Sequence, residues 1–255
     1  MFKKVISRIR QPEAIPQLWG WPLPFWLLVG YVVANLVGLL MVTTQRDDEL
    51  TNPDATSLVI AGLISCVMLG WSIYQNVRLA VAEHNEQHKK ELLNIPAALA
   101  LRPSQSRPLW LIALWSLAAV VTLDALAVIL GRSISDYPLG FDRISGASWL
   151  TWVLAGVWVI GLRPIGEELL FRGILYPVLA RRLGDQWIAV LVTTILFVVF
   201  YLALAFDVYW GLVYPLVLGL AAGMARAHTQ STWGAVVAHM MFGAFLLLSA
   251  LVNLV

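Results

Sequence analysis

Apolar runs of membrane-spanning length alternate with short polar stretches along the whole chain. A helix of about 20 mainly apolar residues crosses a hydrocarbon core of about 30 Å. Six or seven segments approach that length: 24–44, 56–74, 108–130, 147–162, 186–206, 208–225 and 231–253. The fourth is short and runs straight into Arg163-Pro164, so its C-terminal end is open. The fifth and sixth meet at Phe206-Asp207-Val208, a turn too tight to hold soluble structure. Residues 169–183 are apolar on one side and carry Arg172, Arg181 and Arg182, the pattern of a helix lying at the interface or packed inside the bundle. The expected fold is all-α: a polytopic integral membrane helical bundle of about seven transmembrane helices plus that interfacial or intramembrane helix. Three parts follow: a cytoplasmic N-terminal segment with an amphipathic helix (1–24), three N-terminal transmembrane helices with a polar loop at 78–107 (25–146), and a second membrane domain (147–255).

Composition agrees. The 255 residues are 60% hydrophobic and 13% charged, with 12 Trp, whereas ordinary soluble chains carry about 25% charged residues. So few charges could not cover a water-soluble surface. The net charge of +2 is less informative than the distribution of Lys and Arg between alternate loops. On one side fall Lys3, Lys4, Arg8, Arg10, Arg78, Lys89, Lys90, Arg102, Arg107, Arg181, Arg182 and Arg226; on the other fall Arg46, Arg132 and Arg143. That bias of twelve to three predicts a cytoplasmic N-terminus and an outer C-terminus. A cleavable signal peptide is not expected, because the first apolar run begins late, is too long, and no small-residue cleavage pattern follows it. Phe2, Val5, Ile6 and Ile9 share one face of a short helix suited to an anionic lipid surface, and Trp19, Trp21 and Trp26 follow at the position of an aromatic belt. One cysteine, Cys66, excludes an intramolecular disulfide and any cysteine cluster, and is expected as a buried apolar filler. No long basic run or nucleic-acid-binding module appears, so nucleic acid is not a partner.

Two places attract a chemical interpretation. In the 78–107 loop, His84 and His88 share a helix face among Glu83, Glu86 and Glu91; a metal site is conceivable, but a solvated, charge-laced helical extension fits better. The second place is inside the membrane, where an ionisable group costs several kcal/mol unless paired or hydrated and is a functional candidate by default. Those groups are Asp124, Glu167, Glu168, Arg172 and His239. On a helix Glu167 and Glu168 diverge by about 100°, so they cannot do the same work. Glu168 and Arg172 stand at i, i+4, where carboxylate and guanidinium meet. That leaves Glu167 as the unpaired carboxylate, suited to a general base that activates water. The same residues also fit a structural ion cluster at a helix start. Asp124 is expected to pair with Arg163 or Arg172, or to accept from a tyrosine such as Tyr201.

Gly166-Glu167-Glu168-Leu169-Leu170-Phe171-Arg172-Gly173 resembles the EExxxR signature of the CAAX-protease and bacteriocin-processing (CPBP, Abi) family of intramembrane endopeptidases. The resemblance covers about 147–251 and leaves the first three spans unmatched. It implies two further motifs, FxxxH on the next span and HxxxN or HxxxD on the last, and a site in which the first glutamate and the FxxxH histidine activate water while the other histidine and its partner stabilise an oxyanion. Glu167, Glu168 and Arg172 match the first motif fully. The second falls on Phe197-Val198-Val199-Phe200-Tyr201, which puts Tyr201 in the histidine position. The third falls on His239-Met240-Met241-Phe242-Gly243, which keeps His239 and puts Gly243 in the partner position. A phenol with a reference pKa near 10 is a poor base at neutral pH but still donates a hydrogen bond. With Glu167, Glu168 and His239 alone left as ligands, a conventional zinc site is not expected, and neither metal nor cofactor is called for.

The site residues expected are therefore Glu167, Glu168, Arg172, Tyr201 and His239. The first functional reading is an intramembrane endopeptidase, weakened by its two departures, that acts on a protein or peptide substrate such as a lipidated chain or a leader peptide. The alternative is a catalytically degenerate pseudoprotease serving as a membrane scaffold, immunity or partner-binding protein. A transporter is a third option, disfavoured because no inverted repeat is visible. Membrane lipid is the other partner, and the expected location is a multi-pass position in a plasma membrane, of a prokaryote given the short loops.

Overall fold

The computed structural model describes residues 18–45, 54–89, 91–103, 109–131, 147–204 and 210–252. The expected N-terminal amphipathic helix, Arg46, Arg107, Arg132, Arg143 and the Phe206-Asp207-Val208 turn lie outside the described residues. Within them the chain forms eight helices and no strand: α1 (Pro22–Gln45), α2 (Ala55–Gln87), α3 (Ile95–Ala98), α4 (Leu109–Ile129), α5 (Trp149–Leu183), α6 (Gln186–Leu204), α7 (Trp210–Thr229) and α8 (Thr232–Val252). Helices α1, α2, α4, α5 and α8 are long and apolar enough to cross a membrane, and 186–202 in α6 is a shorter apolar helix. Their outward faces are apolar. Val33, Leu36, Leu40 and Met41 on α1, and Trp110, Leu114 and Trp115 on α4, are exposed, as expected where the surrounding solvent is hydrocarbon.

Local sequence accounts for the helix boundaries. Asp54, Asn94 and Ser148 cap α2, α3 and α5 by accepting from Ser57, Ala97 and Thr151 backbone N–H, and the Asp185 carboxylate accepts from the Trp187 and Ile188 N–H at the start of α6. Between α5 and α6 the chain turns at Gly184, φ +69°, a left-handed position where glycine carries no Cβ penalty. Helix α2 has 33 residues and so runs about 50 Å, well beyond a bilayer core. His84 lies in its last turn, and the His84 and His88 rings stack at 4.5 Å.

The segment broken in two by the sequence pattern is one helix. α5 continues through Arg163-Pro164 to Leu183, 35 residues in all, and absorbs its prolines by widening. Two π-helical stretches, Val157–Leu162 and Leu169–Leu175, each end two residues before a proline, Pro164 and Pro177. A proline inside a helix removes one hydrogen bond and pushes on the preceding turn; a wider turn relieves both, and such turns often accompany functional sites. Between them lies the short α-helical piece Arg163–Glu168. The motif carboxylates thus sit on a section of α5 whose rotation is set by a wide turn on either side.

Helix α8 is central, packing on α4, α5 and α7, while α1 pairs with α2 and α6 with α7. The polar 78–107 loop is tied to this bundle. After α3 the chain turns through Ala100, φ +50°, and Ala98, Leu99 and Ala100 are buried. Their carbonyls cap the α7–α8 turn: Thr232 N–H donates to Ala100 at 3.0 Å and the Thr232 hydroxyl to Leu99 at 2.7 Å. The Ser231 hydroxyl donates to the Arg102 carbonyl.

Candidate active site

Four helices bring their polar groups to one buried point. α5 contributes Arg163, Glu167, Glu168 and Arg172, α6 contributes Tyr201, α8 contributes His239, and α1 contributes Tyr31. Glu167, Glu168 and Arg172 are fully buried, and Tyr31, Tyr201 and His239 are no more than 4% exposed. All five expected site residues meet here.

Glu168 and Arg172 form the expected pair, Nη1 to Oε1 at 2.9 Å. Arg172 also donates from Nη2 to the Gly219 carbonyl on α7 at 2.8 Å, and its guanidinium lies 4.8 Å from the Phe197 ring centre, a cation–π distance. Phe197, first residue of the second motif, also stands edge-on to His239 at 6.0 Å.

Glu167 departs from expectation. It is not unpaired: Arg163 Nε lies 2.8 Å from its Oε1, and the Tyr31 hydroxyl donates to the same oxygen at 3.1 Å. On the other oxygen, Oε2, it accepts from Tyr201 at 2.9 Å. The reason is helical spacing: Arg163 precedes Glu167 by four residues just as Arg172 follows Glu168 by four. Arg163 and Arg172 are thereby taken by the two glutamates rather than by Asp124, which lies half-buried on α4. Each carboxylate thus faces one guanidinium, the pairing under which buried charge is tolerated.

His239 lies between the carboxylates. Its Nδ1 is 2.9 Å from Glu168 Oε1 and its Nε2 is 4.0 Å from Glu167 Oε2. An ionised carboxylate only accepts, so Nδ1 carries the proton, and in the neutral ring Nε2 presents a lone pair towards Glu167. A separation of 4.0 Å is too long for a direct hydrogen bond and leaves the pair to be bridged by a small third group. Glu167 Oε1 faces a guanidinium and a phenol and Glu168 Oε1 faces another guanidinium, while Glu168 Oε2 is buried with no hydrogen-bond partner among the described residues.

Gly243, in the partner position of the third motif, has a packing role. A Cβ there would come within 2.4 Å of the Val159 carbonyl oxygen, so α8 touches the first π-helical stretch of α5 backbone to backbone. Small residues permit such close approach between membrane helices. An asparagine side chain has no room at this contact.

Other sequence expectations resolve locally. Arg226 is not a loop cation: it is buried at the base of the site, its Nε donates to the Arg172 carbonyl at 3.2 Å, and it lies over the Tyr176 ring at 5.2 Å. Cys66 is buried with its Sγ 3.9 Å from the Tyr31 hydroxyl. Trp19 is half-buried and donates to the Ile174 carbonyl in the second wide stretch at 3.2 Å, while Trp26 remains exposed as a belt residue would be. Arg163 could have been found from its i, i+4 spacing to Glu167. Tyr31 could not, since 136 residues separate it from its partner.

The family model described as Rce1-like, type II CAAX prenyl endopeptidase, matches residues 147–245. No curated protein and no solved structure matches the chain. The matched stretch runs from the start of α5 into α8 and holds Glu167, Glu168, Arg172, Tyr201 and His239, so this part of the chain is similar to the type II CAAX prenyl endopeptidases that the model describes.

Proposed function

We propose that the protein is an intramembrane endopeptidase of the CAAX-protease type in which His239, aligned by Glu168, shares a water with Glu167. The observation that carries this reading is the pair of distances at His239, 2.9 Å from Nδ1 to Glu168 and 4.0 Å from Nε2 to Glu167. A histidine held by one carboxylate and open at its second nitrogen is the base-and-orienter arrangement of hydrolytic sites. It assigns the imidazole, whose Nε2 lone pair is open, the base role that a phenol at position 201 cannot fill. A water between Nε2 and Oε2 donates one hydrogen to each. As its oxygen attacks the scissile carbonyl, Nε2 takes the proton and then returns it to the departing amine, giving a carboxylic acid and an amine. Glu167, fixed by Arg163, Tyr31 and Tyr201, orients the water and opposes the imidazolium charge. Tyr201 thus replaces a base with a donor. Lipidated chains and leader peptides are the substrate classes this reading admits, and membrane lipid surrounds the bundle.

A second reading, a degenerate membrane scaffold or partner-binding protein, is favoured by the three donors on Glu167, which leave its carboxylate little freedom to accept a proton. The two are separated by a cleavage assay on protein in liposomes with a broad peptide panel. Under the first reading His239→Ala and Glu167→Ala each abolish cleavage; under the second the wild type cleaves nothing and both variants keep the cellular role. For location we propose a plasma membrane of a prokaryote with a cytoplasmic N-terminus. The loop bias supports it at eleven to three once the buried Arg226 is set aside.

A further inference from the structure

We propose that Tyr31, on α1 and outside the 147–245 stretch, is a positioning residue of the Glu167 carboxylate and makes the N-terminal helices part of the site. Three observations converge on it. Its hydroxyl donates to Glu167 Oε1 at 3.1 Å, the oxygen that also faces Arg163 Nε at 2.8 Å. Its ring is locked, stacked on Phe200 of α6 at 5.1 Å with planes 16° apart. Tyr31 also lines a cavity of about 340 Å³ between α1 and α2, together with Trp26, Leu27, Met68, Leu69 and Asn76.

The chemistry gives this placement a purpose. Arg163 and Tyr201 each hold one oxygen of the carboxylate, from α5 and α6. A second donor on Oε1, delivered by a stacked ring on a third helix, stiffens that arrangement. It keeps Oε2 turned towards Tyr201 and the His239 Nε2. Because Tyr31 acts on Glu167 and not on a substrate, it aligns the group that reacts and does not react itself. Resting on the proposed function for its kinetic consequence, the inference also has a readout that needs no substrate.

That readout is the Glu167 carboxylate stretch in the infrared spectrum of full-length protein in nanodiscs, identified as the band that Glu167→Gln removes. Tyr31→Phe deletes the hydroxyl and keeps the ring, so the band shifts while the fold is retained. Leu27→Ala, which loosens the same cavity wall on α1 without touching Glu167, leaves the band in place. With the fluorogenic peptide panel, Tyr31→Phe lowers kcat by about 10- to 100-fold, the effect of losing one hydrogen bond to a charged group, and leaves KM unchanged. An unshifted band in Tyr31→Phe, or an equal shift in Leu27→Ala, overturns the proposal. A shifted band in a protein that cleaves nothing keeps Tyr31 as the positioning residue and removes the endopeptidase reading instead.

Discussion

Gly243→Ala tests whether the α5–α8 contact is as close as described. The added Cβ would sit 2.4 Å from the Val159 carbonyl oxygen, 3.1 Å from its Cγ1 and 3.2 Å from its carbonyl carbon, where ordinary contact begins near 3.4 Å. The obstructing oxygen belongs to the backbone, so no rotamer change clears it. Helix α8 must move by about 1 Å, or the wide turn of α5 must deform. Overpacking of this kind costs about 1–3 kcal/mol, and a fixed backbone obstacle places Gly243→Ala at the upper end. For a chain of this size, about 2–3 kcal/mol corresponds to a fall in Tm of about 5–10 °C. The assay is thermal unfolding followed by tryptophan fluorescence in nanodiscs, with Gly70→Ala as the control. A Cβ at Gly70 meets nothing within 4 Å, so that variant gains helix propensity of about 0.5–1 kcal/mol and melts no lower than the wild type. His239 lies one turn before Gly243 on the same helix, and activity in Gly243→Ala falls further than stability because the imidazole moves off Glu167. Melting of Gly243→Ala at or above the wild-type temperature would refute the close approach, and with it the explanation for glycine at the third motif.

Arg172→Met leaves Glu168 buried without its guanidinium and destabilises by about 3–5 kcal/mol, measured as the same thermal shift; a smaller loss than in Arg181→Met, at the exposed end of α5, contradicts the buried pair. Thr232→Val removes the hydroxyl bond to the Leu99 carbonyl and costs about 1 kcal/mol, with faster proteolysis between 88 and 103 as the loop loosens. Tyr201→His, tested alone because position 243 has no room for asparagine, restores a second imidazole beside Glu167 and raises the cleavage rate at neutral pH; a rate below wild type would show that the phenol is the better donor. For orientation, a cysteine introduced at Ser7 in a Cys66→Ala background reacts with an impermeant thiol reagent only from the cytoplasmic side, and one at Asn253 only from the outer side.

What the sequence disclosed followed from periodicity and local spacing. Glu168 and Arg172 were legible because a salt bridge at i, i+4 is written into the chain, and the apolar runs gave the bundle. The same rule applied backwards from Glu167 reaches Arg163, a contact hidden by treating Arg163-Pro164 as a helix end. Proline suggested that break, but the chain widens into π turns instead, a tertiary accommodation that no propensity records. Gly243 looked like a missing donor because its meaning lies in the distance to Val159 on another helix. Tyr31 left no signal of its own: the polar neighbour one turn on, Asn35, donates to the Tyr31 backbone carbonyl, and the carboxylate that the hydroxyl reaches is 136 residues away.

The most direct test of the Glu168–His239–Glu167 centre is peptide cleavage by the reconstituted wild type beside His239→Ala and Glu167→Ala, with all three shown to be folded by their melting curves. Cleavage by the wild type and none by either folded variant is the predicted result. Wild-type cleavage that survives unchanged in folded His239→Ala would contradict the assignment of the imidazole as the base.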